Sequence, residues 1–320
     1  MAADAHVSTG RLPTPEEVQA WVDEAHARFA AEARGEVSRV YPALAEMPAD
    51  EFGVCLVDTT GRAFAAGDAD REFTIMSVSK PFVFALACER LGPAALRDRV
   101  GVNGTGRAFN SLAAVESSLD GRTNPMVNAG AIATTSLLGW EEIRAGLDRF
   151  AGRELPFDDA VYASASATNH RNQALARLLQ DRDRIYADPA HAVDVYTRQC
   201  SLRVSAYDLA VMGATLADGG VNPVTGERVI DAAVCHYTLA VMLTAGLYET
   251  SGDWLYDVGL PAKSGIGGGI VTISPGKGGM GTFAPRLDAA GNSVKGRLVA
   301  EYLSRRLGLD LLISDSGVDG

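Results

Sequence analysis

Strand-forming signal in this chain is confined to two places, one near each end, and the long stretch between them is helical. "FGVCLVDTTGRAFAAGD" reads as a hairpin, two apolar runs around the turn residues Asp58 to Gly61. The signal returns only in "GGGIVTISPGKGGMGTFAPRL", with Ile270 to Ser274 and Gly281 to Ala284 around a turn at Pro275 to Gly278. From Ser77 to about Asp231 the text is Ala- and Leu-rich with helical periodicity, as in "NQALARLLQ" and "AYDLAVMGATLADGG". A sheet that draws strands from both ends must be antiparallel or mixed, and the helical middle must be an insertion. The expectation is an α+β fold: an antiparallel sheet flanked by helices, with an inserted helical lobe. Residues 1–80 with 240–320 would form the sheet lobe and 81–239 the helical lobe, all within one domain spanning 1–320.

The flanking helices are legible too. In "TPEEVQAWVDEAHARFAAEARG", Thr14 is placed to cap, Pro15 takes the first helical position, and Val18, Trp21, Val22, Ala25 and Phe29 make one apolar stripe. "GNSVKGRLVAEYLSRRLG" closes the chain as a second amphipathic helix. At 320 residues and 47% hydrophobic content, the chain can bury a large core. A net charge of -11 and the lack of any Lys/Arg run argue against nucleic acid and point to a small-molecule substrate. The N-terminal text has no apolar leader segment, and no stretch approaches the roughly 18–20 apolar residues of a membrane span. These features predict a cytoplasmic protein with no membrane partner. The four cysteines (Cys55, Cys88, Cys200 and Cys235) are far apart, which fits reduced buried thiols rather than disulfides or zinc. Five scattered histidines give no metal pattern, so neither metal nor cofactor is expected.

The candidate chemistry lies in "MSVSKPFVFALACERLG". Phe82, Val83, Leu86 and Ala87 mark a buried helix that stops at Gly92, but its start carries Ser77 and Lys80. Residues three apart on a helix share a face, about 5–6 Å apart at Cβ. A serine beside a lysine can be a nucleophile and its base, provided that burial or a second cation lowers the lysine pKa. Lys263, in the triplet Lys263-Ser264-Gly265, is the candidate second cation. The penicillin-recognising serine hydrolases combine a helix-borne Ser-x-x-Lys with a Lys-Thr/Ser-Gly on an edge strand. The glycines of "SGIGGG" would let backbone N–H groups approach an oxyanion. A second Ser-x-x-Lys, Ser274 to Lys277, falls in the expected hairpin turn and is read as structural. The bland reading of the first is a helix-capping serine with a solvated lysine.

Longer stretches carry a family resemblance: "SVSKPF", "FNSL", "NPMVNAGAI", "RNQALA", "DLAVMGATLADGGVNPVTG", "LPAKSGIGGGI" and "AGNSVKG", in that order. The sequence resembles the serine-dependent bacterial glutaminases over roughly residues 35 to 305. That resemblance implies a β-lactamase/DD-peptidase-like fold and amide hydrolysis through an acyl-enzyme. It implies Ser77 as nucleophile, Lys80 as base, Asn128 and Asn172 as substrate-holding amides, and Tyr196 and Tyr248 as pocket phenols. The backbone donors of the oxyanion hole fall on Ser77 and Ile266. It further implies a homo-oligomer, dimer or tetramer, with a small amide as the only partner.

The chain also departs from the family pattern. Where the family has a glutamate that contacts the substrate α-amino group, "VYASASATNHRN" has Ala165. Met76 precedes the nucleophile in place of the usual Gln or Glu. A family tyrosine becomes Val40, with Tyr41 displaced by one, and the usual E-P-S-G is "NGTG", Asn103 to Gly106. The expectation is retained chemistry on a carboxamide other than free L-glutamine. Ordinary L-glutaminase activity and a non-catalytic binding protein are the alternatives.

Overall fold

The structure, a computed structural model, describes residues 11–313. Most of the N-terminal text read above for a leader therefore lies outside the described residues. A five-stranded antiparallel sheet has the order Ala63–Gly67, Gly53–Asp58, Gly278–Phe283, Gly269–Ser274, Ala262–Ser264. Its strands come from both ends of the chain, as the hydrophobic pattern required. The seam between the two contributions pairs Val54 with Thr282 and Val57 with Gly279.

Alternation along the strands sorts the sheet into two apolar faces. Val54, Leu56, Ile270 and Met280 pack with Val18, Val22, Val299 and Leu303, which belong to the helices Pro15–Phe29 and Val294–Arg306. Thr14 and Glu17 close a capping box on the first of these, and Ser293 caps the second. Cys55, Val57, Val271, Ile273 and Phe283 face the other way, toward the helix Ala206–Ala217. That helix lies almost on the strand backbone. A Cβ added at Gly279 would stand 2.3 Å from the Ala214 nitrogen, and one at Gly281 would stand 2.0 Å from the Ala206 oxygen. The two glycines are what the close approach requires.

The remaining helices build on that face. Ser79–Leu91, Asn128–Thr135, Trp140–Ala151, His170–Asp181 and Pro189–Cys200 share one continuous apolar cluster with the sheet. The boundary expected between 239 and 240 falls inside the helix Ala232–Ala245. All four cysteines are buried free thiols. Among the described residues no helix is long and apolar enough to cross a membrane.

Candidate active site

Ser77 does not begin the long helix. It sits in a short 3-10 turn, Met76–Val78, and the α-helix starts at Ser79 with Val78 at the N-cap position and no side-chain cap. The capping reading of Ser77 is therefore corrected. The turn is set by Met76, whose φ is +48°, a conformation uncommon for any residue but glycine. Tyr248, across the site, is a second such residue at φ +56°. A third, Asp183, lies elsewhere, and left-handed backbone at Met76, the residue before Ser77, is the kind of strain that functional sites hold.

Lys80 emerges one helical turn later and is 1% exposed, so the solvated-lysine reading also fails. Its Nζ donates to Asn128 Oδ1 at 2.7 Å and to the Met126 carbonyl at 3.2 Å, both neutral acceptors. Burial without a carboxylate pushes the ammonium down to about 7. The same Asn128 Oδ1 accepts from the Tyr196 hydroxyl at 3.2 Å, and Asn128 Nδ2 donates to Asn172 Oδ1 at 2.9 Å. Asn128, Asn172, Tyr196 and Lys80 thus form one buried cluster.

Lys263 lies on the edge strand Ala262–Ser264 and is fully buried. Its Nζ donates to the Gly246 and Ser264 carbonyls at 3.0 and 2.6 Å and lies 4.2 Å from the Tyr248 ring centre. Burial first, and then the nearby Lys80, hold its pKa well below the ordinary lysine value. Burial is the first cause of the lowered pKa at both lysines. The two ammonium groups also repel each other, which lowers Lys263 further.

The Tyr248 hydroxyl donates to the Ser264 carbonyl at 3.1 Å and is hydrogen-bonded with Ser77, while burial raises its pKa. The "SGIGGG" loop runs against the Ser77 turn. A Cβ on Gly265 would meet the Ile75 oxygen at 3.1 Å and the Ser77 nitrogen at 3.3 Å, so a side chain there would press on the Ser77 turn.

A cavity of about 100 Å³ opens in front of Ser77, and Lys80, Lys263 and Tyr248 are not part of its wall. Val40, Met76, Ser77, Asn128, Ala165, Asn172, Tyr196 and Ile266 all line it. Sequence reasoning passed over other members of this wall, including Phe109, Arg171 and Cys200. It also treated Tyr41 as merely displaced. Tyr41 reaches the cavity from the position next to Val40, and its burial raises the phenol to about 12. Val40 itself is 55% exposed. No aspartate or glutamate is part of this lining. The "NGTG" change does not belong here: Asn103, Gly104 and Thr105 line a separate hollow with Arg97, Asp120 and Arg122.

The glutaminase family model matches residues 35–312. The chain belongs to the glutaminase family. It is 64% identical over 317 residues to Glutaminase 2 of Yersinia pestis, covering 97% of this chain and 93% of that one. Among solved structures it superposes on the probable glutaminase ybaS with a TM-score of 0.92 and 41% identity, covering 94% of this chain and 100% of that one. It superposes on Mglu in its glutamate form with a TM-score of 0.89 and 39% identity, covering 95% and 72%. The fold is accordingly the β-lactamase-like α+β fold of the glutaminases, and the enzyme is a hydrolase of linear amide C–N bonds. The non-catalytic alternative is set aside by that membership.

Proposed function

We propose that this glutaminase-family enzyme hydrolyses a small carboxamide through an acyl-enzyme on Ser77. The observation that carries the reading is Lys80: fully enclosed, bonded only to neutral acceptors, and brought to about 7, where it can hold or release a proton at neutral pH. Ser77 Oγ attacks the amide carbonyl as its proton passes to neutral Lys80 Nζ. The oxyanion lies between the backbone N–H groups of Ser77 and Ile266. Lys80 then protonates the leaving nitrogen and the C–N bond breaks. Water, deprotonated by Lys80, attacks the ester, and the carboxylate product leaves as Ser77 regains its proton. Asn128 and Asn172 hold the substrate by their amides, Tyr196 and Tyr248 by their phenols. Lys263 keeps Tyr248 and the edge strand in place.

For the substrate we propose a glutamine-like amide whose α-nitrogen is acylated, absent or otherwise uncharged. Ala165 is 3% exposed and offers neither charge nor acceptor, and no carboxylate replaces it in the cavity wall. An ammonium buried there without a partner costs several kcal/mol, about two to three orders of magnitude in turnover. The second reading is hydrolysis of free L-glutamine to glutamate and ammonia, favoured by the Yersinia pestis relative named Glutaminase 2. Kinetics with L-glutamine, N-acetyl-L-glutamine and 4-carbamoylbutanoate separate them. The changed-substrate reading expects the latter two to exceed glutamine in kcat/KM, and Ala165→Glu to reverse the order. Ordinary efficiency on free glutamine would establish the second reading. A cytoplasmic location, a dimer or tetramer, and the single domain with its two sub-lobes belong to the same proposal. Light scattering and limited proteolysis test the last two.

A further inference from the structure

The Met76–Val78 turn that presents Ser77 does not hold its left-handed residue by local contacts alone. The Ser79 N–H donates to the Met76 and Ser77 carbonyls, and the Ser79 hydroxyl donates to the Met76 carbonyl at 2.8 Å. Behind Ser79 stands Gln199, which is wholly buried. Its Nε2 donates to Ser79 Oγ at 3.3 Å, and its Oε1 accepts from the Thr135 hydroxyl at 3.0 Å. Thr135 is the last residue of the helix whose first residue, Asn128, holds Lys80. One short helix therefore grips the Ser-x-x-Lys motif twice: Lys80 directly from its first residue, and the Ser77 turn from its last through Gln199 and Ser79.

Gln199 is absent from the cavity wall, while the neighbouring Tyr196 and Cys200 of the same helix are part of it. Nothing in the acyl-enzyme chemistry calls for an amide at this buried position. A buried amide is tolerated when its polar atoms are paired, and here one pairing leads through Ser79 to the strained residue before the nucleophile while the other anchors the amide to Thr135. We propose that Gln199, acting through Ser79, is a positioning residue that keeps Met76 at positive φ and so sets the Ser77 hydroxyl for attack. This rests on the reading of Ser77 as nucleophile.

The test compares Gln199→Met, Ser79→Ala, Thr135→Val, the conservative Thr135→Ser and the double variant Gln199→Met/Ser79→Ala, using the amide that the unaltered enzyme turns over best. Each is assayed at 25 °C for kcat and KM across pH, and its Tm is recorded. Gln199→Met and Ser79→Ala should each lower kcat about 10- to 100-fold with KM within about threefold, the signature of an interaction that matters in the transition state. The acidic limb of the rate profile should stay put, because the contacts of Lys80 are untouched. The double variant should lose no more than the worse single one, since both cut the same chain. Thr135→Ser, which keeps the hydroxyl, should retain nearly full activity while Thr135→Val does not. A fall in Tm with unchanged kcat, or additive losses in the double variant, would overturn the proposal. If Gln199→Met does not fold, Ser79→Ala and Thr135→Val decide the matter. Full turnover by Ser77→Ala would instead bring down the nucleophile reading. A dead Ser77→Ala with an unaffected Gln199→Met would bring down only the positioning role.

Discussion

The chain contains the pattern Ser-x-x-Lys twice, and the two copies have almost nothing physical in common. At the first, Ser77 sits in a strained turn against a cavity, and Lys80 is buried among an asparagine, a carbonyl and a tyrosine ring. At the second, Ser274 and Lys277 bracket the hairpin turn between Gly269–Ser274 and Gly278–Phe283. There the Ser274 hydroxyl donates to the Leu309 carbonyl at 3.1 Å and Lys277 Nζ donates to the Gly308 carbonyl. One copy has open space in front of its serine. The other ties the segment that follows the helix Val294–Arg306 to a turn. Burial lowers both lysines, but only Lys80 is brought to about 7, because it is fully enclosed while Lys277 keeps contact with water. A short pattern therefore carries no chemistry until desolvation and a cavity are added to it.

The sharpest contrast between the copies is in the serines. Ser77→Ala should cut turnover by roughly four to six orders of magnitude. Ser274→Ala should leave kcat within about twofold and cost about 1 kcal/mol of stability, read as a small fall in Tm. Equal effects in an amide-release assay would erase the distinction. The lysines should differ by less. Lys80→Met is expected to lower kcat by about two to four orders of magnitude, the range of general base catalysis, with Lys277→Met near unaltered activity.

Smaller still is the pH signature. With Lys80 at about 7, kcat/KM should rise with pH through a limb near that value, since the base must be neutral. Because burial is what brings Lys80 down, Lys263→Met should slow the reaction yet leave the limb close to where it is. A limb that moves by a full pH unit would restore Lys263 as the tuning cation. Stability carries the same information with a definite sign. Between pH 7 and about 8.5 the unfolded chain holds a proton on Lys80 that the folded chain has released, so stability rises with pH. Above that range the buried thiols and phenols, whose pKa values are raised, oppose the trend. Thermal melts at pH 7.0 and 8.3 should show a rise in Tm that is smaller in Lys80→Met.

The hairpin, the two flanking helices and the sheet drawn from both ends were legible because each rests on local signals: Thr14 with Glu17, the turn at Asp58, the alternation of Val54 to Val57. The positions lining the cavity were legible through long stretches shared with a family. What stayed hidden depends on backbone geometry or on distant pairs. Positive φ at Met76 and Tyr248 has no sequence signature in residues other than glycine or asparagine. Gln199, 120 residues from its partner Ser79, reads as one more polar residue near a helix end. The contribution of Tyr41 was missed because one residue of slippage matters little where the chain is irregular, and Val40 and Tyr41 both reach the cavity.

The most direct measurement is rapid acid quench of the enzyme during turnover of its best amide, followed by peptide mass spectrometry. An ester-linked acyl group should appear on the peptide containing Ser77, with the mass of the substrate less its amine, and should be absent from Ser77→Ala. An adduct on the peptide containing Ser274, or steady turnover in Ser77→Ala with no adduct anywhere, would contradict the role assigned to the first copy.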